Sequence, residues 1–272
     1  MFRGVIRSRT VSLAICALCI ISKSAGAGPP FITDDPDPVE YKHWEVYIAS
    51  LYNNDKFGLM TTSPHVEVNY GAAPNVQLHI IAPMTYSRSV FGPAQYGYGD
   101  MEFGVKWRFA QESAKRPMVG IFPLIEVPTG AAARGLGSGQ TAIFLPLWIQ
   151  KSWGPWTTYG GGGPWHNPGV GNRDYGFVGW LLQKNVTKKL AIGTELFYTS
   201  PQTVGGPSRT GFNVGFTYDF DEGHHLMGSV GDDVHGNNRG MGYLAYQWTF
   251  GPKVKQEEKP DAPLKQDAAP AR

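Results

Sequence analysis

Apolar and polar residues alternate along several stretches of the chain. The clearest stretch is 100–109, where every odd-numbered residue from Met101 to Phe109 is apolar and most of the even-numbered ones are charged. A period of two predicts a β-strand with one apolar and one polar face. Because the pattern recurs along most of the chain, the sequence predicts an all-β protein.

Twelve segments have this character, and most have the 9–11 residues that a tilted strand needs to cross a membrane. The glycines at 160–163 weaken the seventh segment and the eleventh is also irregular, so counts of ten or fourteen stay open. The predicted strands are 41–52, 60–70, 76–87, 98–109, 118–127, 140–151, 156–165, 174–183, 190–199, 209–220, 224–233 and 240–250.

The connections between these strands alternate between short turns and longer loops. The turns at 71–75, 152–155, 184–187 and 221–223 are short, whereas 88–97, 128–139 and 200–208 are longer and rich in Gly, Pro, Ser and Asn. Such alternation is typical of outer-membrane barrels, whose apolar side chains face lipid and whose polar side chains face the lumen. We therefore expect a transmembrane antiparallel up-and-down β-barrel of about 12 strands over residues 41–250, with a soluble β-protein as the alternative fold.

Residues 1–27 have the features of a secretory signal peptide. Three arginines precede an apolar stretch at 11–21, and Ala25-Gly26-Ala27 fits a cleavage site. The apolar stretch is too short to span a bilayer. We therefore expect export through a cleaved signal to the outer membrane of a Gram-negative cell.

Removal of this segment changes the charge and cysteine content. Cys16 and Cys19 both lie in it, so residues 28–272 contain no cysteine and no disulfide is expected. Four of the 24 basic side chains also lie in it, which leaves 20 basic against 22 acidic groups, a net charge of −2. Nothing in this balance indicates a nucleic-acid partner.

Two irregular segments flank the predicted barrel. Residues 28–40 are rich in Pro and Asp, and we expect a solvated periplasmic lead-in; the alternative is a plug in the barrel mouth that uses Thr33, Asp34 and Asp35. Residues 251–272 contain few apolar side chains and are expected to form a disordered periplasmic tail, which is a candidate binding segment for a periplasmic partner.

Several segments resemble an outer-membrane β-barrel family labelled as transporters of the phenol-degradation meta pathway. They include the opening Pro30-Phe-Ile-Thr-Asp-Asp-Pro36, His43-Trp44-Glu45, the segment 99–106, Glu126-Val-Pro-Thr-Gly130, and the Trp-Gly and Tyr-Gly-Gly-Gly pieces at 153–154 and 159–162. The resemblance implies a channel for aromatic or other small hydrophobic compounds. It covers the first half of the chain best and names no solute.

Charged residues at lumen-facing positions are the main candidate chemistry. One interpretation is a charged constriction that selects solutes. The favoured alternative is an internal network of ion pairs that fills a narrow lumen, since lipid cannot host such groups. The candidates are Glu45, Glu67, Asp100, Glu102, Lys106, Arg108, Glu126, Glu195 and Asp219.

No enzymatic signature emerges from the sequence. We find no G-x-S-x-G motif, and we expect no catalytic residue, no cofactor and no metal site. The predicted function is passive uptake of small hydrophobic or aromatic compounds, with outer-membrane lipid and the barrel-assembly machinery as partners. Two rivals remain: an outer-membrane enzyme acting on lipid, and a non-conducting structural or adaptor barrel.

Overall fold

A computed structural model describes residues 29–252. The predicted signal peptide and nearly all of the predicted tail lie outside this range. The chain between forms fifteen strand segments and one short 3-10 helix, Ala132–Arg134. The strands are β1 (Trp44–Asp55), β2 (Gly58–Ala73), β3 (Val76–Ser89), β4 (Gln95–Tyr98), β5 (Met101–Ala110), β6 (Met118–Ile121), β7 (Leu124–Val127), β8 (Ala142–Phe144), β9 (Leu147–Trp153), β10 (Trp156–His166), β11 (Tyr175–Asn185), β12 (Leu190–Thr199), β13 (Arg209–Asp219), β14 (His224–His235) and β15 (Gly240–Phe250).

The sheet closes on itself. Neighbouring strands pair antiparallel around the wall, and the last strand, β15, pairs with the first along its length, from Trp44 opposite Phe250 to Asn54 opposite Gly240. Three crossings are split into two segments each: β4/β5, β6/β7 and β8/β9. The fifteen segments therefore form twelve crossings, and the predicted antiparallel barrel of about 12 strands is confirmed.

Prolines account for two of the three splits. Pro123 separates β6 from β7 and Pro146 separates β8 from β9, and a proline has no backbone N–H to give to the ladder. The third split falls at Gly99-Asp100, where the Asp100 carboxylate binds a loop described below. Pairing resumes in register on both sides of Pro123, so the wall stays continuous.

The weak seventh and eleventh segments both form strands, β10 and β14. The glycines of β10 allow close packing, since a Cβ on Gly161 would lie 2.0 Å from the carbonyl oxygen of Leu147. The structure differs from the expectation at the first hairpin. There β1 and β2 extend towards each other until only Lys56 and Phe57 connect them, so this connection is not a long loop.

The two ends of the barrel differ. We call the end that carries the connections at 74–75, 154–155, 186–189 and 220–223 the turn end, and the opposite end, with the segments 128–141, 167–174 and 200–208, the loop end. β1 starts and β15 finishes at the turn end.

The outer face of the wall is apolar. Alternate residues such as Ile48, Val105, Trp180, Leu196 and Leu244 are exposed there. A shallow apolar groove of about 600 Å³ also lies on this side, beside Leu78, Phe103 and Ile125. Among residues 29–252, no helix is long and apolar enough to cross a membrane.

Candidate functional site

The N-terminal segment, residues 29–40, lies inside the barrel. It enters at the turn end, where Lys42 donates its N–H to the carbonyl of Gly71, and ends at the opposite wall, where the Ser229 hydroxyl donates to the carbonyl of Pro30 at 2.6 Å. Thr33 and Asp35 are fully buried. The expectation of a solvated periplasmic lead-in is therefore wrong for these residues, and the alternative position inside the barrel is the one observed. The segment lies there because the wall supplies partners for its polar groups. We call residues 29–40 the plug.

Basic side chains of β5 hold the acidic half of the plug. Lys106 Nζ lies 3.0 Å from Asp34 Oδ1 and 3.7 Å from Asp35 Oδ1, and Arg108 pairs with Asp37. Burial raises the pKa of the Asp35 and Asp37 carboxyls, although the neighbouring cations act in the opposite direction. Pairing with cations of the wall therefore offsets part of the free-energy cost of burying these carboxylates.

Glu195 of β12 holds the other half of the plug from the opposite wall. Its Oε1 accepts the N–H of Ile32 at 2.9 Å, and its Oε2 accepts the N–H of Thr33 at 2.7 Å. The Asn213 side-chain amide donates to Oε1 at 2.6 Å. Glu195 is 1 % exposed, so one buried carboxylate satisfies two backbone donors of the plug.

Inward-facing glycines make room for the tip of the plug. A Cβ on Gly179 would lie 2.1 Å from Thr33 Oγ1, and a Cβ on Gly193 or Gly215 would lie 2.9 or 3.0 Å from the Phe31 ring. Gly193 and Gly215 are directly paired across β12 and β13. A side chain at these positions would therefore crowd the native Phe31 or Thr33 side chain of the docked plug.

A second polar cluster lies on the wall formed by β2, β3 and β5. His79 contacts Asn69 Oδ1 at 2.7 Å and Glu102 Oε1 at 3.1 Å, and the Asn69 amide donates to Glu67 Oε1 at 2.7 Å. Glu45 lies apart from this cluster and accepts the Tyr47 hydroxyl at 2.8 Å. Glu67 and Glu102 are therefore linked through His79, a residue that the sequence analysis did not single out.

Asp100 and Glu126 lie towards the loop end. The Asp100 carboxylate accepts the backbone N–H groups of Gly130 and Ser138, which fixes the loop 128–139 against the wall. Glu126 pairs in register with Glu102. Asp219 lies at the turn end and contacts His225 at 2.7 Å, away from the plug. The nine candidates thus fall into separate groups and do not form one ring.

Aromatic rings cover the lumen side of β8 to β12. Trp165 stacks on Phe144 at 4.7 Å between centroids. Phe144 and Trp148 make edge contacts with Phe177 at 6.2 and 6.3 Å between centroids. Phe177 in turn stacks on Phe197 at 6.2 Å. We call these five residues the aromatic ladder. The ladder was not predicted, although strand parity places Phe177, Phe197 and the lumen-facing Glu195 on the same side of the wall.

Comparisons with known proteins support the fold. No family model matches the chain, and no curated protein matches it. An outer membrane channel from Pseudomonas putida F1 has a similar structure, with a TM-score of 0.57 and 16% identity over 79% of this chain and 99% of that one. The KdgM porin, solved in complex with disordered oligogalacturonate, has a TM-score of 0.53 and 9% identity over 76% of this chain and 99% of that one. At these identities the likeness shows the barrel fold alone.

Proposed function

We propose that this protein is an outer-membrane channel for the passive uptake of small hydrophobic or aromatic compounds. The aromatic ladder carries the proposal. Aromatic side chains of a membrane barrel are expected on its outer face and in its interfacial girdles, where they contact lipid. Here five large rings lie on the lumen side; Phe144, Trp148 and Phe197 are buried, and the half-buried Trp165 and Phe177 would offer stacking surfaces to a flat apolar solute.

The opposite wall of the lumen is polar, so a solute would pass between two unlike surfaces. Ligand sites commonly combine aromatic walls with a few placed polar groups. Lys106 lies between the two surfaces: its Nζ is 4.9 Å from the centre of the Phe122 ring, which packs in one buried cluster with Phe144 and Trp148, and it also pairs with the plug. In this proposal the plug closes the channel, and transport requires it to move.

Other parts of the proposal follow from the barrel's surface and ends. The apolar outer face contacts outer-membrane lipid, and the exposed row Leu244, Tyr246, Trp248 and Phe250 of β15 is the segment that the barrel-assembly machinery would bind. The tail is proposed as the segment for a periplasmic partner. No cofactor and no catalytic step form part of this function.

An uptake measurement tests the proposal. The chain is reconstituted in vesicles whose outer leaflet is lipopolysaccharide, and entry of a neutral monoaromatic such as toluene is compared with entry of a neutral sugar. We expect the aromatic compound to enter faster than in protein-free vesicles and the sugar to show little change. Sugar entry alone would indicate a polar porin, and no gain for either would favour the enzyme or the adaptor.

The role of the lumen charges is tested separately. In a Glu102→Gln/Arg108→Gln variant, a charged constriction predicts altered ion selectivity of the residual current in planar bilayers. An internal network predicts unchanged selectivity with lower thermal stability.

A further inference from the structure

The two halves of the plug are held in different ways. Residues 34–40 are held by the Lys106 and Arg108 ion pairs, by the Gln77 side chain, which accepts the N–H of Val39 at 2.9 Å, and by the chain itself, which continues into β1. Residues 30–33, which we call the tip, lie farther from that covalent attachment. The tip has no charged side chain of its own.

Hydrogen bonds to the tip come chiefly from Glu195. Its carboxylate accepts two N–H groups of the tip, and the only other hydrogen bond to the tip among the contacts described above is the one from Ser229 to Pro30. The remaining contacts are Phe31 and Thr33 packed over glycines. Hydrogen bonds to a charged acceptor are stronger than neutral ones, so one side chain dominates the attachment.

We propose that Glu195 is the positioning residue that latches the plug, and that the channel opens when the tip leaves Glu195 while residues 34–40 stay on β5. The latch rests on the proposed function only in one respect, that release of the tip opens a channel. The contact itself is independent of which solute the channel carries.

The chemistry of the contact requires a carboxylate. Both oxygens of Glu195 act as acceptors for neighbouring N–H groups, and a glutamine has a single acceptor oxygen. In Glu195→Gln the amide NH2 would face either the Ile32 or the Thr33 N–H, donor against donor. The N–H of Ile32 or of Thr33 would then lose its acceptor, and the loss is costly for the buried Thr33 N–H.

Accessibility of the tip tests the latch directly. The residues from 28 onward contain no cysteine, so Thr33→Cys and Val39→Cys supply single labelling sites on the tip and on the retained half. Both parent residues are buried, at 0% and 7% exposure. A charged, membrane-impermeant maleimide is applied to the full chain in vesicles.

We expect Glu195→Gln to speed labelling at position 33 by about ten- to a hundred-fold, the loss expected for a charged hydrogen bond. Labelling at position 39 stays slow, and Glu195→Asp, which keeps the carboxylate, falls between wild type and Glu195→Gln. Glu67→Gln is the matched control. Glu67 is likewise a buried carboxylate bonded to an asparagine, and its partners named above are wall residues. It should leave labelling at position 33 unchanged.

Three results would overturn the proposal: slow labelling at position 33 in Glu195→Gln, equal acceleration by Glu67→Gln, or equal acceleration at position 39. If Glu195→Gln fails to fold, Gly193→Ala displaces Phe31 without touching a charge, and it too should expose position 33. The labelling rate measures exposure of the plug and does not depend on the solute. The latch can therefore be tested even if the aromatic-uptake assay fails.

Discussion

Lys106 Nζ lies 3.0 Å from Asp34 Oδ1, across 72 positions of sequence. This ion pair joins the wall of the barrel to a segment that precedes its first strand. Lys106 is 4 % exposed and the Asp34 side chain is 22 % exposed, so the pair is largely buried. Removing one partner of such a pair leaves the other charge buried without compensation.

Lys106→Gln should therefore loosen the plug. We expect a loss of about 3–5 kcal/mol in docking free energy, the usual cost of breaking a buried pair. The measurement is single-channel recording in planar bilayers, where the variant should be open for a larger fraction of time. Lys151→Gln is the control, since the Lys151 ammonium lies 2.9 Å from Glu112 and also donates to the carbonyl of Ser113, and neither partner belongs to the plug. Equal currents in the two variants would contradict the assignment.

Trp165→Leu should slow the entry of a neutral monoaromatic. The indole stacks on Phe144 at 4.7 Å and on Tyr175 at 5.8 Å, so its loss removes a stacking surface from the lumen. An aromatic contact contributes about 0.5–1.5 kcal/mol, which corresponds to a decrease of roughly two- to tenfold. The readout is the vesicle uptake assay. Trp180→Leu, on the lipid-facing side of β11, should have no such effect.

The plug carboxyls predict that acid favours closure. Burial raises the pKa of Asp35 and Asp37 above the ordinary value of 3.8, and full release of residues 34–40 from β5, a step beyond the opening at the tip, returns both groups to water. The docked state therefore binds more protons, so docking of residues 34–40 strengthens as the pH falls towards the ordinary value of 3.8. We expect the part of the channel current that depends on this full release to decrease as the pH falls.

The variant Asp35→Asn/Asp37→Asn isolates this contribution, because it removes both titrating groups. Its current should depend less on pH than that of the wild type. A decrease of equal slope in both proteins would assign the effect to carboxyls of the wall instead.

Period-two alternation was sufficient to predict the wall. The limits of β12 and β15 agree with the predicted 190–199 and 240–250, because large apolar residues recur at every second position, which faces outward, over most of each strand. The pattern could not show the splits at Pro123 and Pro146, since a proline removes a backbone donor without changing which face its neighbours occupy.

The contacts between the plug and the wall could not be predicted from this alternation. The plug has no periodicity, and its partners Lys106, Arg108 and Glu195 lie 71 or more residues away along the chain. Parity predicted that these side chains face the lumen but not what they meet there. The role of Asp100 could not be predicted either, because its partners are backbone N–H groups of a loop, and the types of the loop residues do not indicate such contacts.

The claim that the plug closes the channel is tested most directly by a disulfide that holds the plug in its docked position. The Thr33 Cβ lies 3.2 Å from the position of a Cβ on Gly179, close to the separation of about 3.5–4.5 Å in disulfides, so Thr33→Cys/Gly179→Cys should cross-link the docked tip to β11. We predict that the oxidised protein passes neither ions nor toluene, and that reduction restores both, with Thr33→Cys alone unaffected by oxidant. Equal current and uptake in the oxidised and reduced protein would show that the plug does not close the channel.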